Sequence, residues 1–159
     1  MPANHHTSYS KQNLTWHERG IVLRASLLLP LTEIRMRWKG FRKCQQDLQR
    51  LSRIGRLTPP LAVDQLSQAQ RTAELVTYAN RRYSVYVADC LTRSLVTQYL
   101  LRCMQIPAEL KLGTRTTTGQ FEAHAWVEYD GHALNELEDV QTIYSVFDWQ
   151  DADKYHYRT

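Results

Sequence analysis

Cysteine is scarce in this sequence and occurs in an odd number. Cys44, Cys90 and Cys103 are the three cysteines among 159 residues, and the first 14 residues are polar. A polar start does not resemble a secretory signal, so a framework of disulfide bonds is not expected. No two of the three are spaced like the ligands of a zinc ion. We expect free thiols in a reducing cytoplasm, with neither metal nor cofactor.

Motifs for binding nucleotides or nucleic acids are also missing. The sequence has no zinc-finger spacing, no Gly-rich phosphate loop and no stripe of arginines interleaved with aromatic residues. The formal net charge of +4 and the pI of about 9.0 make the chain mildly basic. That charge suits an acidic peptide partner, but by itself it does not identify one. Nucleic acid is not expected as a partner.

The sequence has no long hydrophobic run. Its most apolar stretch covers residues 21–34, which is 14 residues, and it contains Arg24, Pro30 and Glu33. Such a stretch is too short and too interrupted to cross a bilayer, so no transmembrane segment is expected. Association of this stretch with a membrane surface or with a partner remains open.

What is present is the composition of one globular domain with a modest core, 43% hydrophobic and 23% charged. Helical patterns come first and alternating patterns follow, which predicts the α+β class. The last part should form a small antiparallel sheet. We predict four regions: a disordered start at 1–14, a helical region at 15–55, a core at 56–145 and a tail at 146–159.

The first helical region has a clear beginning and a predicted interruption. Thr15 and Glu18 have the spacing of a capping box, in which each side chain bonds the backbone of the other. Pro30 is expected to kink or restart the helix, because it lacks an amide hydrogen. Beyond it, apolar residues recur at three- and four-residue steps and predict a helical stripe: Leu31, Ile34, Trp38, Phe41, Cys44, Leu48 and Leu51.

Two further helices and three strands follow. Asp64 can cap a helix that runs to about Arg82 with a face of small residues, and a very apolar helix is predicted from about Asp89 to Met104. Asp130 and Gly131 are a strong signal for a two-residue turn between strands. The predicted strands cover residues 108–114, 121–129 and 132–137.

Cys90 is the candidate nucleophile. It lies in the predicted first turn of the third helix, where unpaired amides and the positive end of the helix dipole favour a thiolate. Cys44 and Cys103 lie on predicted apolar helix faces and are expected to be packed. A cysteine at a helix start is more often structural than catalytic, so this position needs a base nearby to become informative.

The predicted hairpin provides a candidate base in His124, with Trp126 and Glu128 on the same face of its strand. An orienting group should come from the neighbouring strand. If Asp130 and Gly131 alone form the loop, Asn135 shares the histidine's face, and one bulge would bring Glu136 there instead. Either could hold the imidazole. The order of cysteine, histidine and acid or amide is that of papain-like and transglutaminase-like thiol enzymes.

Several segments together resemble the transglutaminase-like leader proteases of lasso-peptide biosynthesis. The resemblance covers about residues 85–140, and Leu27 to Leu31 also resemble the helical region that precedes this domain in the family. The matching segments are Asp89–Leu95, Tyr99–Arg102, Ile106–Leu110, Ala123–Glu128, Gly131 and Leu134–Glu136. Because no winged-helix recognition module is evident, the chain is expected to be the stand-alone form of the protease.

The resemblance implies a cysteine protease that removes the leader from a ribosomally made precursor. By position, Cys90 is the nucleophile, His124 the base and Glu136 the third member, where many relatives have an aspartate; Asn135 is the alternative. The implied partners are the precursor's leader peptide, a small leader-recognition protein and an ATP-dependent cyclase. The backbone amide of Cys90 is one expected oxyanion donor.

Two other functions fit the same residues. The site could transfer an acyl group to an amine, since the acceptor decides the product. Alternatively, the chain could be a catalytically silent scaffold of the maturation complex, which the departure from aspartate at Glu136 favours. A third possibility is a membrane-surface protein built on residues 21–34. An apolar helix of that kind is more often buried against a domain or a partner.

Overall fold

The predicted α+β class is confirmed. The computed structural model describes residues 14–57, 64–83, 88–117, 119–134, 136 and 140–147. Within these ranges three long helices precede a four-stranded antiparallel sheet in the order β3-β2-β1-β4. The elements are α1 (Trp16–Ile54), α2 (Gln65–Arg82), α3 (Cys90–Cys103), β1 (Glu109–Thr117), β2 (Gln120–Tyr129), β3 (His132–Leu134), α4 (Val140–Ile143) and β4 (Ser145–Phe147).

Helix α1 consists of two halves that turn back on each other at Gly40. Gly40 has φ 77° and ψ 166°, a conformation that residues with a Cβ avoid. Arg35 Nε donates to Asp47 Oδ2 over 3.1 Å. In a straight helix residues 12 apart lie about 18 Å from each other, so this ion pair requires the reversal. The prediction that the helix restarts at Pro30 is wrong, since Pro30 lies inside the first half and the non-helical conformation is at Gly40.

The predicted capping box at the start of α1 is confirmed. Thr15 Oγ1 accepts from the Glu18 amide, and Glu18 Oε2 accepts from the Thr15 amide at 2.8 Å. Glu18 Oε1 also accepts from Arg71 Nε of α2 at 2.7 Å. Burial alone would raise the pKa of Glu18, but the hydrogen bonds from Thr15 and Arg71 lower it below its usual value. One carboxylate thus caps α1 and joins it to α2.

The predicted stripe of α1 is divided by the reversal. Thr32 and Cys44 face each other between the two halves, and Cys44 and Leu48 are buried. Phe41 is partly buried, and the other four members are at least half exposed: Leu31, Ile34, Trp38 and Leu51. A single helical period could not have predicted this, because the face that is buried changes at Gly40. No helix in the described part of the chain has the length and hydropathy needed to cross a membrane.

Helices α2 and α3 form the centre of the core. The predicted small-residue face of α2 is confirmed, since its four members are fully buried: Ala69, Ala73, Val76 and Ala79. Small side chains let α1 and α3 approach α2 closely, and all three helices contribute to one hydrophobic cluster. The cluster continues to the sheet through Leu110, Val127 and Leu134, which lie on neighbouring strands.

The hairpin between β2 and β3 has the predicted two-residue turn. Asp130 and Gly131 have φ values of 50° and 74°, as a type I′ turn requires. Val127 pairs with Leu134 and Tyr129 with His132. Strand β3 ends earlier than predicted, at Leu134. Strand β4 was not predicted, and it pairs with β1 through Leu112, Gly113 and Thr114.

Two predicted segments lie largely outside the described residues. The start of the chain, predicted to be disordered, is described only from Leu14, and the predicted tail only as far as Phe147. The division of the chain into four regions remains a prediction.

A substitution at the reversal tests this architecture. Gly40→Ala should lower the free energy of unfolding by about 1–3 kcal/mol, because alanine cannot adopt this backbone conformation without strain. Gly20→Ala is the matched control. Gly20 lies in regular helix and an added Cβ would meet only Arg24 at 3.9 Å, so this change should stabilise the protein by about 0.5–1 kcal/mol. Urea unfolding measures both, and equal effects would contradict a strained reversal at Gly40.

Candidate active site

Cys90 is the first residue of α3 and is partly exposed. The preceding residue, Asp89, caps the helix, because its Oδ1 accepts from the Thr92 amide at 2.8 Å. The amide of Cys90 belongs to the first turn of the helix, whose amides have no acceptor within the helix. The thiol therefore lies at the positive end of the helix dipole, as predicted, beside backbone donors that could stabilise an anion.

Two contacts fix the chain around this helix start. The buried amide of Asn80 bonds both backbone groups of Ala88, donating to its carbonyl (3.1 Å) and accepting from its amide (2.9 Å). Thr92, which is fully buried, donates from Oγ1 to Glu33 Oε2 of α1 over 2.7 Å. These contacts hold the residues on either side of Cys90 to α2 and α1.

His124 lies on β2, and its Nε2 is 3.1 Å from Glu136 Oε2. The two side chains are only 20% and 16% exposed. Continuing the register of β2 and β3 would place Glu136 opposite Ala125 and point it away from His124. The described ladder reaches Leu134, however, and Glu136 lies in a bend beyond it, from which its carboxylate contacts the imidazole. Asn135, the alternative partner, lies outside the described residues.

Arg93 connects this pair to the helix that carries Cys90. Its Nη2 donates to Glu136 Oε1 over 2.8 Å, so Glu136 uses one oxygen for the arginine and the other for the histidine. Arg93 lies three residues after Cys90 and therefore on the same side of α3, one turn further along. On the next position, Ser94 donates to the carbonyl of Ala125, the neighbour of His124, over 3.0 Å. The first turn of α3 is thus joined to β2 directly.

Aromatic rings cover the other side of His124. The ring of Tyr144 lies 5.2 Å from that of His124 and 6.2 Å from that of Trp126, between centroids. Gly113 of β1 makes room for them, since a Cβ there would lie 2.8 Å from both Trp126 Cη2 and Tyr144 Cβ. The imidazole therefore packs against two aromatic rings.

Trp126 is itself held in place. It is 1% exposed, and its Nε1 donates to Glu128 Oε1 over 2.7 Å. Gln141 donates to the same oxygen over 2.9 Å, which ties the segment that carries Tyr144 to β2. The predicted sharing of one face by His124, Trp126 and Glu128 is therefore found, with Glu128 as the anchor of the indole.

A cavity of about 560 Å³ opens beside Glu136. It is lined by residues of α2, the hairpin turn and α4, namely Gln70, Glu74, Gly131, His132, Ala133, Glu136 and Gln141. Such a depression next to the imidazole partner could receive part of a peptide chain. In the ranges that the structure describes, no three or more His, Cys, Asp or Glu side chains are grouped to hold a metal ion.

The other two cysteines lie in the interior, as predicted. Cys44 and Cys103 are 0% and 1% exposed. Burial raises the pKa of both thiols, although nearby Arg35 for Cys44 and Tyr99 for Cys103 partly oppose this. Both therefore remain neutral thiols at neutral pH, and neither has the position of a nucleophile.

The sequence interpretation did not assign a role to several residues of this site. Arg93 had a signal, because it lies one helical turn after the candidate nucleophile. Gly113 had another, since glycine inside a strand often marks the close approach of a neighbour. No local feature of the sequence indicated a role for Asn80 or Tyr144, because their contacts join segments that are far apart in sequence.

The pairing of His124 with Glu136 limits which nitrogen of the imidazole can act as a base. If Glu136 accepts a hydrogen bond from Nε2 of His124, the neutral imidazole keeps its lone pair on Nδ1 and can accept a proton there. A carboxylate that fixes the tautomer of a histidine base is the third member of a catalytic triad.

Comparison with known proteins agrees with this chemistry. A family model described as the transglutaminase-like superfamily matches residues 28–147, well over half of the chain. The microcin J25-processing protein McjB of Escherichia coli is 33% identical over 63 residues. These residues are 40% of this chain and 29% of that protein, so the chain spans less than a third of that relative. No solved structure matches the chain.

Alkylation rates should separate Cys90 from the other thiols. With iodoacetamide at pH 7, Cys90 should react about tenfold faster or more than Cys44 and Cys103, because it is accessible and lies at a helix start, whereas burial raises the pKa of the other two thiols. Peptide mapping by mass spectrometry of the folded protein measures the three rates. Equal, slow reaction of all three would contradict an activated thiol, and equal rates in urea would confirm that folding causes the difference.

Proposed function

The chain belongs to the transglutaminase-like superfamily, and on this premise we propose that it is a cytoplasmic cysteine peptidase that removes the leader from a lasso-peptide precursor. The observation that carries the proposal is the connection of the Cys90 helix to a histidine–carboxylate pair through Arg93. The superfamily includes cysteine peptidases, and the likeness to a microcin J25-processing protein supports a processing role for this chain.

The proposed reaction uses three side chains in distinct roles. His124 accepts the thiol proton of Cys90 at Nδ1, and the thiolate sulfur attacks the carbonyl carbon at the junction of leader and core. When the C–N bond breaks, His124 returns the proton to the amine of the core peptide, which leaves. Water, deprotonated by the same imidazole, then attacks the thioester and releases the leader as a carboxylate. Glu136 fixes the imidazole and stabilises its positive charge.

The start of α3 supplies stabilisation for the oxyanion. The carbonyl oxygen becomes negative while the sulfur is bonded to its carbon, so donors are needed within hydrogen-bonding distance of it. The amide of Cys90 lies in the first turn, and the helix dipole favours the same charge. Asn80 acts as a positioning residue, because its two bonds to Ala88 fix the chain that enters this turn.

The exposed side of α1 supports the proposal that the protein works with partners. Leu23, Leu27 and Leu31 lie four residues apart and are 63%, 65% and 59% exposed. This leucine row, continued by Ile34, forms an apolar strip along one helix face, which marks a surface for binding another protein. We assign it to the leader-recognition protein or the cyclase of the maturation complex.

The alternative is a scaffold that is catalytically silent or that transfers the acyl group to an amine. The methylene by which Glu136 exceeds an aspartate is the feature that favours it. That extra length does not prevent contact with the imidazole in this structure, since the atoms are 3.1 Å apart. We therefore favour hydrolysis over a silent scaffold.

Intact-mass spectrometry of a cognate precursor tests the proposed peptidase. The wild type, given the leader-recognition protein, should cleave one bond and add one water across the products. Cys90→Ala should abolish cleavage, and Glu136→Gln, which keeps the shape but removes the charge, should slow it by a factor on the order of 10² or more. Addition of an amine to the leader in place of water would identify acyl transfer.

Two matched variants control this experiment. Cys44→Ala removes a buried thiol, and Glu109→Gln removes a carboxylate that pairs with Lys111 on β1, away from His124. Both should keep cleavage within about twofold of wild type. Equal cleavage by Cys90→Ala and wild type would exclude Cys90 as the nucleophile. Absence of cleavage by wild type, with the recognition protein bound, would favour the scaffold.

Introducing negative charge into the leucine row tests the partner surface. Leu23→Glu combined with Leu27→Glu should weaken binding of the recognition protein or the cyclase by about tenfold or more, because a carboxylate cannot be buried in an apolar contact without a partner. Pull-down followed by titration calorimetry measures the loss. Gln46→Glu, on the exposed side of the second half of α1, is the control. Unchanged binding of both partners would exclude this surface.

A further inference from the structure

A second cavity lies at the far end of α3, remote from Cys90. It has a volume of about 880 Å³ and is formed where the ends of α1 and α3 meet the start of β1. The amide of Leu57 donates to the carbonyl of Cys103 over 2.8 Å, which fixes these two helix ends next to each other. The lining residues are Gln49, Ser52, Arg53, Arg56, Arg102, Gln105, Pro107, Ala108 and Glu109.

Three arginines converge on this second cavity without carboxylates of their own. Among the residues that the structure describes, Arg53, Arg56 and Arg102 form no ion pair, although other arginines of the chain do. Of the lining residues in the described part of the chain, Glu109 alone is acidic, and its Oε2 is bound by Lys111 Nζ at 2.7 Å. The cavity therefore has an uncompensated positive charge.

Arg102 bears the largest cost of this arrangement. It is partly buried, and burial together with the nearby Arg53 lowers its pKa. A charge that is removed from water beside a like charge destabilises the folded protein unless an anion compensates it. Stability alone therefore does not explain the position of Arg102 in the last turn of α3.

The helix dipole explains part of the pattern but not all of it. Arg53 and Arg102 lie in the last turns of α1 and α3, where a positive side chain interacts favourably with the helix end. That interaction accounts for each arginine separately. It does not account for Arg56, which lies beyond the end of α1, or for the direction of all three into one cavity.

We propose that this cavity binds an acidic peptide segment of a partner protein. Guanidinium groups bind carboxylates in a paired, two-bond geometry, and the neutral side chains of Gln49 and Gln105 can bond a peptide backbone. The volume suits several residues of an extended chain. Two negative helix ends border the cavity, which disfavours a compact, highly charged phosphate more than carboxylates spread along a peptide.

This acidic-peptide site is separate from the thiol site. Arg102 lies 12 residues after Cys90 in the same helix, a distance of about 18 Å along the axis. A bound segment would therefore hold its protein to this one without entering the cleavage site. The inference does not depend on whether Cys90 cleaves a peptide bond.

Fluorescence anisotropy with a fluorescein-labelled decaglutamate peptide tests the inference on the full chain. At about 150 mM salt, where exposed charges are largely screened, wild type should bind the probe. The triple variant Arg53→Gln, Arg56→Gln, Arg102→Gln should raise Kd by about tenfold or more. The triple variant Lys39→Gln, Lys43→Gln, Arg50→Gln removes the same charge from exposed positions of α1, and should change Kd by less than about twofold.

Three outcomes would overturn the proposal. Equal losses in the two triple variants would show general attraction by a basic surface. Absence of probe binding by wild type would exclude a site for acidic peptide. Binding of inorganic tripolyphosphate, but not of decaglutamate, would assign the cavity to phosphate instead.

A thermal measurement separates binding from a structural role. Arg102→Met keeps the length of the side chain and removes its charge. It should therefore raise the Tm of the free protein by roughly 2–4 °C and weaken binding of the decaglutamate probe. A fixed concentration of decaglutamate near the wild-type Kd should raise the Tm of wild type more than that of Arg102→Met. A fall in the Tm of Arg102→Met would show that Arg102 serves stability, against the proposal.

Discussion

The carboxylate of Glu136 is the contact on which the candidate site depends. One oxygen bonds Nε2 of His124 on β2, and the other accepts from Arg93 on α3. Without this carboxylate, the arginine would be left partly buried without its counter-ion, and the imidazole would lose the group that fixes its tautomer. The same carboxylate therefore joins α3, through Arg93, to His124 on β2.

Glycine at position 113, directly opposite His124 on the neighbouring strand β1, has a comparable role. Its missing side chain lets Trp126 and Tyr144 pack against β1 and cover His124. The chain that carries Tyr144 returns to the sheet as β4, beside the same glycine. The imidazole thus contacts an aromatic layer, formed by Trp126 and Tyr144, and the carboxylate of Glu136. The main hydrophobic core lies on the opposite face of the sheet. The second cavity, at the opposite end of α3, shares none of these contacts.

Much of the fold could be predicted because its signals are local. The capping box at Thr15 and the turn at Asp130 depend on residues a few positions apart, and both were predicted correctly. The end of β1 was placed too early, because pairing with β2 extends it to Thr117. The reversal of α1 at Gly40 was not predicted either. Glycine permits such a backbone conformation, but the contact that needs the reversal, between Arg35 and Asp47, joins residues that are 12 positions apart.

The sequence by itself determined the chemistry that the chain could support: a thiol at a helix start, a histidine on a strand and an acid after the turn. Residue type and spacing along one element are sufficient for such predictions. Tertiary structure decided that the carboxylate of Glu136 meets the histidine, because Glu136 lies in a bend beyond β3 and not in the strand alternation. It also decided that three arginines from two helix ends share one cavity. Both depend on where separate segments meet in space, and periodicity within a segment cannot specify that.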